Sequence, residues 1–241
     1  MKYVISDIHG CYDEYKELLD KIHFSDEDEL YILGDSMDRG PEPIKVLKDM
    51  MSRENVFNIL GNHDFMMLMV LKKLAVEITE RNVEEQIERE DLELYDMWMS
   101  DGGKNTSDQF RALTAKERVE ILEYIKDSSV YETIQIGNKK YVLVHAGIEG
   151  FQDGKFLDDY HFTDFICTRA DYSKRYFSEK NTYLVTGHTP TAFIREDKQP
   201  LIYEGNGHIA LDCGCVYGGR LAAYCLDTGK VFYVDSKFHL K

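Results

Sequence analysis

The chain has 241 residues, of which 43% are hydrophobic and 12% aromatic, and its formal net charge is −15 at pH 7. This composition excludes a disordered chain, and the length allows a substantial buried core. The acidic balance disfavours nucleic-acid and membrane partners, since both need a basic surface. A phosphate site in such a chain must therefore create its own positive field, as bound metal ions do.

The cysteines and the start of the chain indicate the cellular compartment. None of the five cysteines forms a C-x-x-C pair, which is typical of buried thiols in a reducing environment. Met1 leads directly into a strand-like segment and no apolar run is long enough to span a bilayer. We therefore expect a cytoplasmic protein without a signal peptide.

Five short apolar runs are each followed by a polar segment that contains glycine. Their length and their content of Val, Ile, Leu and Tyr predict buried strands at residues 3–5, 30–33, 56–60, 141–144 and 183–185. Helical periodicity predicts helices at 12–22 and 41–51, the second with proline in its first turn. This alternation of strands and helices favours an α/β fold with parallel pairing at its centre.

The pattern changes between residues 64 and 128. Residues 65–78 are strongly helical in pattern, a charged stretch follows, and a loop is predicted at 98–103. Thr114 and Glu117 have the spacing of a capping box before a further helix. We interpret residues 65–128 as a helical insertion in a single domain that covers 1–241. Beyond it, Gly137-Asn138 predicts a hairpin, and 208–234 reads as further strands.

The chemistry of the chain is concentrated directly after the five predicted strands. Because the carboxyl ends of strands in an α/β sheet form the ligand-binding crevice, side chains from all five should meet there. They are carboxylates, imidazoles and one amide: Asp7, His9, Asp35, Asn62, His63, Asp64, His145 and His188. Such ligands suit Mn²⁺, Fe or Zn²⁺, and they are too many for one tetrahedral ion. Two ions that share a carboxylate are the simplest arrangement.

The segments that carry these residues resemble a known family. They read SDIHG at 6–10, GDSMDRG at 34–40, GNHD at 61–64, HAG at 145–147 and GHT at 187–189. In order and spacing they resemble the signature of the phosphoprotein phosphatase family. The segment ALDCGCVYGGRL at 210–221 is similar to bacterial members, including symmetrical dinucleoside tetraphosphatases. The resemblance implies the calcineurin-like metallophosphoesterase fold, with two central sheets flanked by helices in an α/β/β/α sandwich.

The resemblance also implies the ligands of two divalent metal ions, with Mn²⁺ favoured and Fe or Zn²⁺ as alternatives. Asp7, His9 and Asp35 would bind the first ion. The ligands of the second would be Asp35, Asn62, His145 and His188, so that Asp35 bridges the pair. Two ions about 3.5–4 Å apart can hold a deprotonated water for in-line attack on phosphorus and neutralise the phosphoryl oxygens.

Four further residues have roles that the resemblance implies. His63 would donate a proton to the leaving group, and Asp38 would hydrogen-bond to the other nitrogen of its ring. Arg39 would bind the phosphate bidentately. Arg169 is a weaker match to a second phosphate-binding arginine.

Three departures from the family pattern bear on the substrate. Leu60 stands where protein phosphatases usually carry arginine, and Asp64 stands where eukaryotic members favour Glu. Both features are similar to the dinucleoside tetraphosphatases, whereas the intact Asp38-Arg39-Gly40 segment fits a protein phosphatase better. Pro190 replaces the second His of the Gly-His-x-His motif of the wider superfamily, which argues against phosphodiesterases and nucleases.

Our leading hypothesis from the sequence is a Mn²⁺-dependent phosphomonoesterase that acts on phosphoserine or phosphothreonine in proteins. The alternative is a symmetrical bis(5'-nucleosyl)-tetraphosphatase that uses the same centre on a small phosphate ester. A metal-binding regulatory protein without catalysis is disfavoured by the presence of Asp38 and His63 beside the ligand set.

Overall fold

A computed structural model describes residues 1–74 and 89–237. Within these residues the chain forms ten strands in two five-stranded sheets, with helices on the outside. None of the described helices is both long enough and apolar enough to cross a bilayer.

The first sheet has the strand order β10-β9-β1-β2-β3. Its strands are β1 (Lys2–Ile5), β2 (Glu29–Ile32), β3 (Val56–Asn58), β9 (Arg220–Cys225) and β10 (Val231–Asp235). The strands β1, β2 and β3 run parallel, while β9 pairs antiparallel with both β1 and β10. Helices α1 (Tyr12–Lys21) and α2 (Pro43–Met51) make the connections between the parallel strands, as the alternating pattern predicts.

The second sheet has the order β4-β5-β6-β8-β7. Its strands are β4 (Tyr131–Ile136), β5 (Lys139–Val144), β6 (Thr182–Thr186), β7 (Tyr203–Gly205) and β8 (His208–Ala210). The strands β5, β6 and β8 are parallel, and β4 and β5 form the predicted hairpin. Each sheet therefore has three parallel strands whose carboxyl ends can meet those of the other sheet.

The two sheets pack face to face through side chains that alternate along each strand. Val4, Tyr31 and Leu143 belong to the core between the sheets, whereas their neighbours Ile5 and Val142 belong to the core under the helices. This alternation follows from the two-residue period of a strand. The α/β fold with two central sheets flanked by helices is thus confirmed.

The region predicted as an insertion is helical over the residues that are described. It contains α3 (Asn62–Leu74), α4 (Arg89–Trp98), a π-helical turn (Met99–Gly103), α5 (Lys104–Arg111) and α6 (Ala115–Lys126). The predicted capping box forms at the start of α6, where Glu117 N donates to Thr114 Oγ1 and Thr114 N donates to Glu117 Oε2. Residues 75–78 of the predicted 65–78 helix lie outside the described residues.

The start of α3 differs from the sequence-based expectation. Asn62, His63 and Asp64 were expected in a loop after a strand, but they form the first turn of α3. The strand before them is also shorter, since β3 ends at Asn58 and only a single bridge at Ile59 follows. A short helix, α7 (Thr163–Ile166), lies between β5 and β6.

Candidate metal centre and active site

Polar residues follow the carboxyl ends of the parallel strands in both sheets. Asp7 and His9 follow β1, Asp35 follows β2, and His145 and His188 follow β5 and β6. Asn62 and His63 approach from the first turn of α3. The structure therefore brings the predicted residues from five separate segments to one place, where the edges of the two sheets meet.

The backbone is strained at these positions. Among the described residues, nine that are not glycine have a positive φ, and they include Asp7, His9, Asp35, Asp38, Arg39 and His188. Such angles are uncommon outside glycine and persist only where the surrounding structure enforces them. Their concentration at the predicted site is typical of a functional centre.

Asp35 lies at the middle of the candidate metal centre. Its Oδ2 is 3.6 Å from His9 Nε2, and its Oδ1 is 3.5 Å from His145 Nε2. Asp35 belongs to two groups of close ligand atoms, one with His9 and His63 and one with His145 and His188. One carboxylate shared by two groups is the arrangement that a bridging ligand needs.

The second group is compact, and its imidazoles are oriented by the backbone. Asn62 Oδ1 lies 3.0 Å from His145 Nε2 and 2.9 Å from His188 Nδ1. His145 Nδ1 contacts the Leu33 carbonyl at 2.6 Å, and His9 Nδ1 contacts the Met37 carbonyl at 2.7 Å. Because a carbonyl accepts, these Nδ1 atoms carry the proton, and each Nε2 keeps a lone pair for a metal.

Burial sets the charge state of the centre. It lowers the pKa of His9 to about 3 and that of His188 to about 4, so both imidazoles are neutral at pH 7. Burial, together with repulsion between carboxylates, raises the pKa of Asp7, and burial raises that of Asp212 to about 6. In the part of the chain that the structure describes, neither Asp7 nor Asp212 forms an ion pair with Lys or Arg. Neutral imidazoles beside buried carboxylates without a cation fit divalent metal ions.

Glycine and Asp64 fix the position of Asp35. A Cβ at Gly61 would lie 2.3 Å from Asp35 Oδ1, so only glycine permits this approach. The buried Asp64 carboxylate accepts from the backbone N–H groups of Asp35, Ser36 and Gly61, at 3.2, 3.3 and 3.1 Å. Asp64 thus supports the loop that carries Asp35.

A fully buried Asp–His pair adjoins the centre. His63 Nδ1 is 2.8 Å from Asp38 Oδ2, which also accepts from Trp98 Nε1 at 2.8 Å. Asp38 Oδ1 accepts from Thr106 Oγ1 at 2.6 Å. Burial alone would lower the pKa of His63, but the carboxylates of Asp35, Asp101 and Asp38 outweigh it and raise this pKa to about 10. His63 is therefore protonated at pH 7, as a proton donor must be.

The candidate centre opens into a cavity of about 650 Å³ that contains both predicted arginines. Arg39 donates to Asp101 Oδ1 at 2.9 Å and lies with its other terminal nitrogen 2.9 Å from His9 Nε2. Arg169 is exposed on the cavity wall and forms no hydrogen bond or ion pair with the described residues. Both guanidinium groups can therefore reach an anion in the cavity.

Four residues of the site were not predicted from the sequence. Asp212 follows β8 just as the predicted residues follow their strands, and this signal could have identified it. Asp101, Trp98 and Thr106 come from the helical region, and no local pattern indicates that they contact Asp38, His63 or Arg39.

Carboxylates and imidazoles that converge beside arginine in a two-sheet α/β fold are the arrangement expected of a metal-dependent phosphoesterase. A family model described as calcineurin-like phosphoesterase matches residues 3–230, and the chain belongs to this family. It is a phosphoric ester hydrolase, and its family uses divalent metals.

Two relatives are informative. A bis(5'-nucleosyl)-tetraphosphatase PrpE [asymmetrical] from Geobacillus sp. is 29% identical over an alignment of 249 positions that covers 92% of this chain and 88% of the relative. A symmetrical bis(5'-nucleosyl)-tetraphosphatase from Wigglesworthia glossinidia brevipalpis is 37% identical over 99 residues, covering 40% of this chain and 36% of the relative.

Solved structures confirm the fold. A provisionally assigned diadenosine tetraphosphatase matches with a TM-score of 0.65 at 21% identity, covering 98% of this chain and 93% of that chain. A protein serine/threonine phosphatase from Saccharomyces cerevisiae matches with a TM-score of 0.52 at 13% identity, covering 100% of this chain and 80% of that chain.

Proposed function

We propose that the chain hydrolyses dinucleoside polyphosphates at a centre of two divalent ions, with Mn²⁺ the best suited. The observation that carries the proposal is the similarity to a relative named as a tetraphosphatase over 92% of the chain. The proposal is also supported by Leu60 and Asp64, since the residues at these two positions resemble those of the dinucleoside tetraphosphatases. The leading hypothesis from the sequence, a phosphoserine or phosphothreonine phosphatase, is now the second candidate.

In this proposal Asp7, His9 and Asp35 hold one ion, and Asp35, Asn62, His145 and His188 hold the other. When bound, two divalent ions would supply a water that is deprotonated at neutral pH and would neutralise the phosphoryl oxygens. Water adds to one phosphorus, the bond from that phosphorus to the bridging oxygen breaks, and the released phosphate end leaves.

The protein residues orient the substrate. Arg39 and Arg169 bind phosphate oxygens within the cavity, and Asp38 keeps the His63 ring fixed at its edge. His63 protonates the departing oxygen where that oxygen needs a proton. A phosphate leaving group is already a weak base, so a phosphoanhydride needs this proton less than an alkyl ester does.

The buried Asp38–His63 pair is the observation that favours the second candidate. Serine and threonine alkoxides are strongly basic leaving groups, and their departure depends on a proton donor such as His63. A pair held by Trp98 and Thr106 is well suited to that demand.

The two candidates separate in a comparison of kcat/KM for diadenosine tetraphosphate and a phosphothreonine peptide, in Mn²⁺ buffer with a chelator control. We expect at least a tenfold preference for the dinucleotide, equivalent to about 1.4 kcal/mol of transition-state stabilisation. Product analysis gives the cleavage position, since AMP with ATP indicates asymmetrical and two ADP symmetrical cleavage. A clear preference for the peptide would overturn the proposal.

A further inference from the structure

The cavity of the candidate active site continues beyond the phosphate-binding region into an aromatic region. Two aromatic side chains line it, Phe193 and Tyr217. Phe193 is 72% exposed and Tyr217 is 50% exposed, whereas Phe57 and Phe156 are the only other exposed Phe, Tyr or Trp side chains among the described residues. Exposed apolar rings inside a concave, polar site are typical of ligand binding.

Phe193 lies close to a proposed catalytic group along the chain, and Tyr217 lies close to one in space. Phe193 ends a short 3₁₀ turn (Thr191–Phe193) that begins three residues after His188, a proposed metal ligand. Tyr217 ends the 3₁₀ turn Cys215–Tyr217, and the Arg39 guanidinium carbon is 5.6 Å from the centre of its ring. A ligand whose phosphate is bound by Arg39 therefore has its next chemical group beside aromatic rings.

The surroundings of the rings favour an uncharged planar group. Pro190, Ala192 and Pro200 line the same cavity, as do Gly214 and Gly218, which lie beside Tyr217. Among the residues that the structure describes, the only basic side chains that line the cavity are Arg39, Arg169 and the proposed catalytic-centre histidines His63 and His188. This part of the cavity thus offers no counter-charge for a second anionic group, while it offers flat apolar surface.

We propose that Phe193 and Tyr217 form a subsite that stacks a nucleobase of the substrate. The proposal rests on the proposed function, because it assigns to that same cavity the residues that recognise the nucleoside. Stacking on an aromatic ring tolerates any base, since every base has a π-face. We therefore expect recognition of nucleotides without a strong preference between adenine and guanine.

The first test compares KM values, in the presence of Mn²⁺, for a substrate with bases and a substrate without them. The first is diadenosine tetraphosphate and the second is tripolyphosphate. In Phe193→Ala and Tyr217→Leu, KM for the dinucleotide should rise about tenfold more than KM for tripolyphosphate, as loss of a base–aromatic stack predicts. Phe193→Trp and Tyr217→Phe, which keep a ring, should restore the wild-type ratio. Phe156→Ala, at a phenylalanine 78% exposed outside this cavity, should leave both KM values unchanged.

A second test does not depend on dinucleotide hydrolysis. AMP and inorganic phosphate are compared as competitive inhibitors of β-glycerophosphate hydrolysis, and AMP should bind roughly tenfold more tightly. Phe193→Ala should bring the two inhibition constants together. Equal inhibition in the wild type would overturn the subsite, even if dinucleotides are substrates. Tighter AMP binding without dinucleotide hydrolysis would instead overturn only the proposed function.

The exposed rings could instead bind any apolar group of a substrate, without recognising a base. The same variants distinguish these two roles. If Phe193→Ala raises KM equally for the dinucleotide and for a phosphothreonine peptide with leucine flanks, then the rings do not recognise a base. That result would overturn the subsite.

Discussion

His63 has carboxylates near both ring nitrogens. Nδ1 is 2.8 Å from Asp38 Oδ2. Nε2 is 3.4 Å from Asp101 Oδ2, which is too long for a good hydrogen bond, and it has no hydrogen-bond partner among the described residues. The Nε2 proton is thus without a strong acceptor in the free enzyme. A substrate oxygen that enters the cavity can become that acceptor.

Replacing His63 by Asn tests the assignment as proton donor. We expect kcat on β-glycerophosphate to fall about 10²–10⁴-fold, the usual contribution of general acid catalysis. The loss on 4-nitrophenyl phosphate should be much smaller, because its leaving group needs no proton. His161→Asn, at an exposed histidine, is the control.

His63 also lies in a group of possible metal ligands with His9 and Asp35. Metal content, measured on the purified variant, distinguishes the two roles. Equal losses on both esters together with a missing metal ion would identify His63 as a ligand and contradict the proton-donor assignment.

Asp101 places a negative charge where the substrate phosphate should bind. Its carboxylate lies between Arg39, which donates a hydrogen bond to it, and the ring of His63, and the nearby positive charges of His63 and Arg39 hold the pKa of Asp101 below the usual range. A phosphate must displace this carboxylate from Arg39.

Asp101→Asn should therefore tighten anion binding. The side chain is 46% exposed, so the effect is modest, and the inhibition constant of inorganic phosphate should fall roughly two- to fivefold. Asp108→Asn changes net charge equally on the neighbouring helix α5 and should have no such effect. A weaker phosphate affinity in Asp101→Asn would show that Asp101 positions Arg39 for binding.

At the scale of elements, residues 98–106 hold the catalytic pair. Trp98 ends α4, the π-helical turn follows, and Thr106 lies in the first turn of α5. A Cβ at Gly103 would be 2.4 Å from Trp98 Cε2, so glycine is needed for the turn to pass the indole. The helical region therefore supplies the donors that fix Asp38.

Thr106→Val removes one of these donors with little change in shape. We expect kcat on β-glycerophosphate to fall and the free energy of unfolding to decrease by about 1–3 kcal/mol, since a buried carboxylate oxygen loses its partner. Thr114→Ala removes the cap of α6, costs about 1 kcal/mol, and should leave kcat unchanged. Urea unfolding measures the free energy of unfolding of the two variants, and steady-state kinetics measures their kcat. An unchanged kcat in Thr106→Val would contradict the role of Thr106 in positioning Asp38.

The sequence predicted the elements that local patterns encode. Apolar runs identify the parallel strands, and the edge at which their carboxyl ends meet follows from parallel pairing, so Asp7, Asp35 and His145 could be assigned to one place. Contacts distant along the chain have no such pattern: Trp98 is 60 residues from Asp38, and Thr106 is 68 residues from it. Their partners depend on how the helical region folds back over the sheets.

At the scale of the whole molecule, the candidate metal centre joins the two sheets. Asp7 follows a strand of the first sheet and accepts a hydrogen bond at 2.9 Å from the backbone of His188, which follows a strand of the second. The buried carboxylates there repel one another, and bound cations would remove that repulsion.

Metal removal should therefore destabilise the protein. At 100-fold excess over Kd, a ligand that binds only the folded state contributes about 2.7 kcal/mol, which for a chain of this size is roughly 5–10 °C in Tm. Thermal unfolding with Mn²⁺ and with a chelator measures the shift, and Asp35→Asn should abolish it. An identical Tm under both conditions would contradict metal binding at this centre.

The separation between Asp7 and His188 in the chain has a consequence for protein synthesis. A ribosome adds residues from the amino terminus, so the first sheet's share of the ligands emerges long before His145 and His188. The strands β9 and β10, which complete the first sheet beside β1, emerge after His188. A nascent chain therefore cannot present both groups of proposed ligands until His188 has been synthesised, so the first sheet's parallel strands are made before the second group of ligands exists.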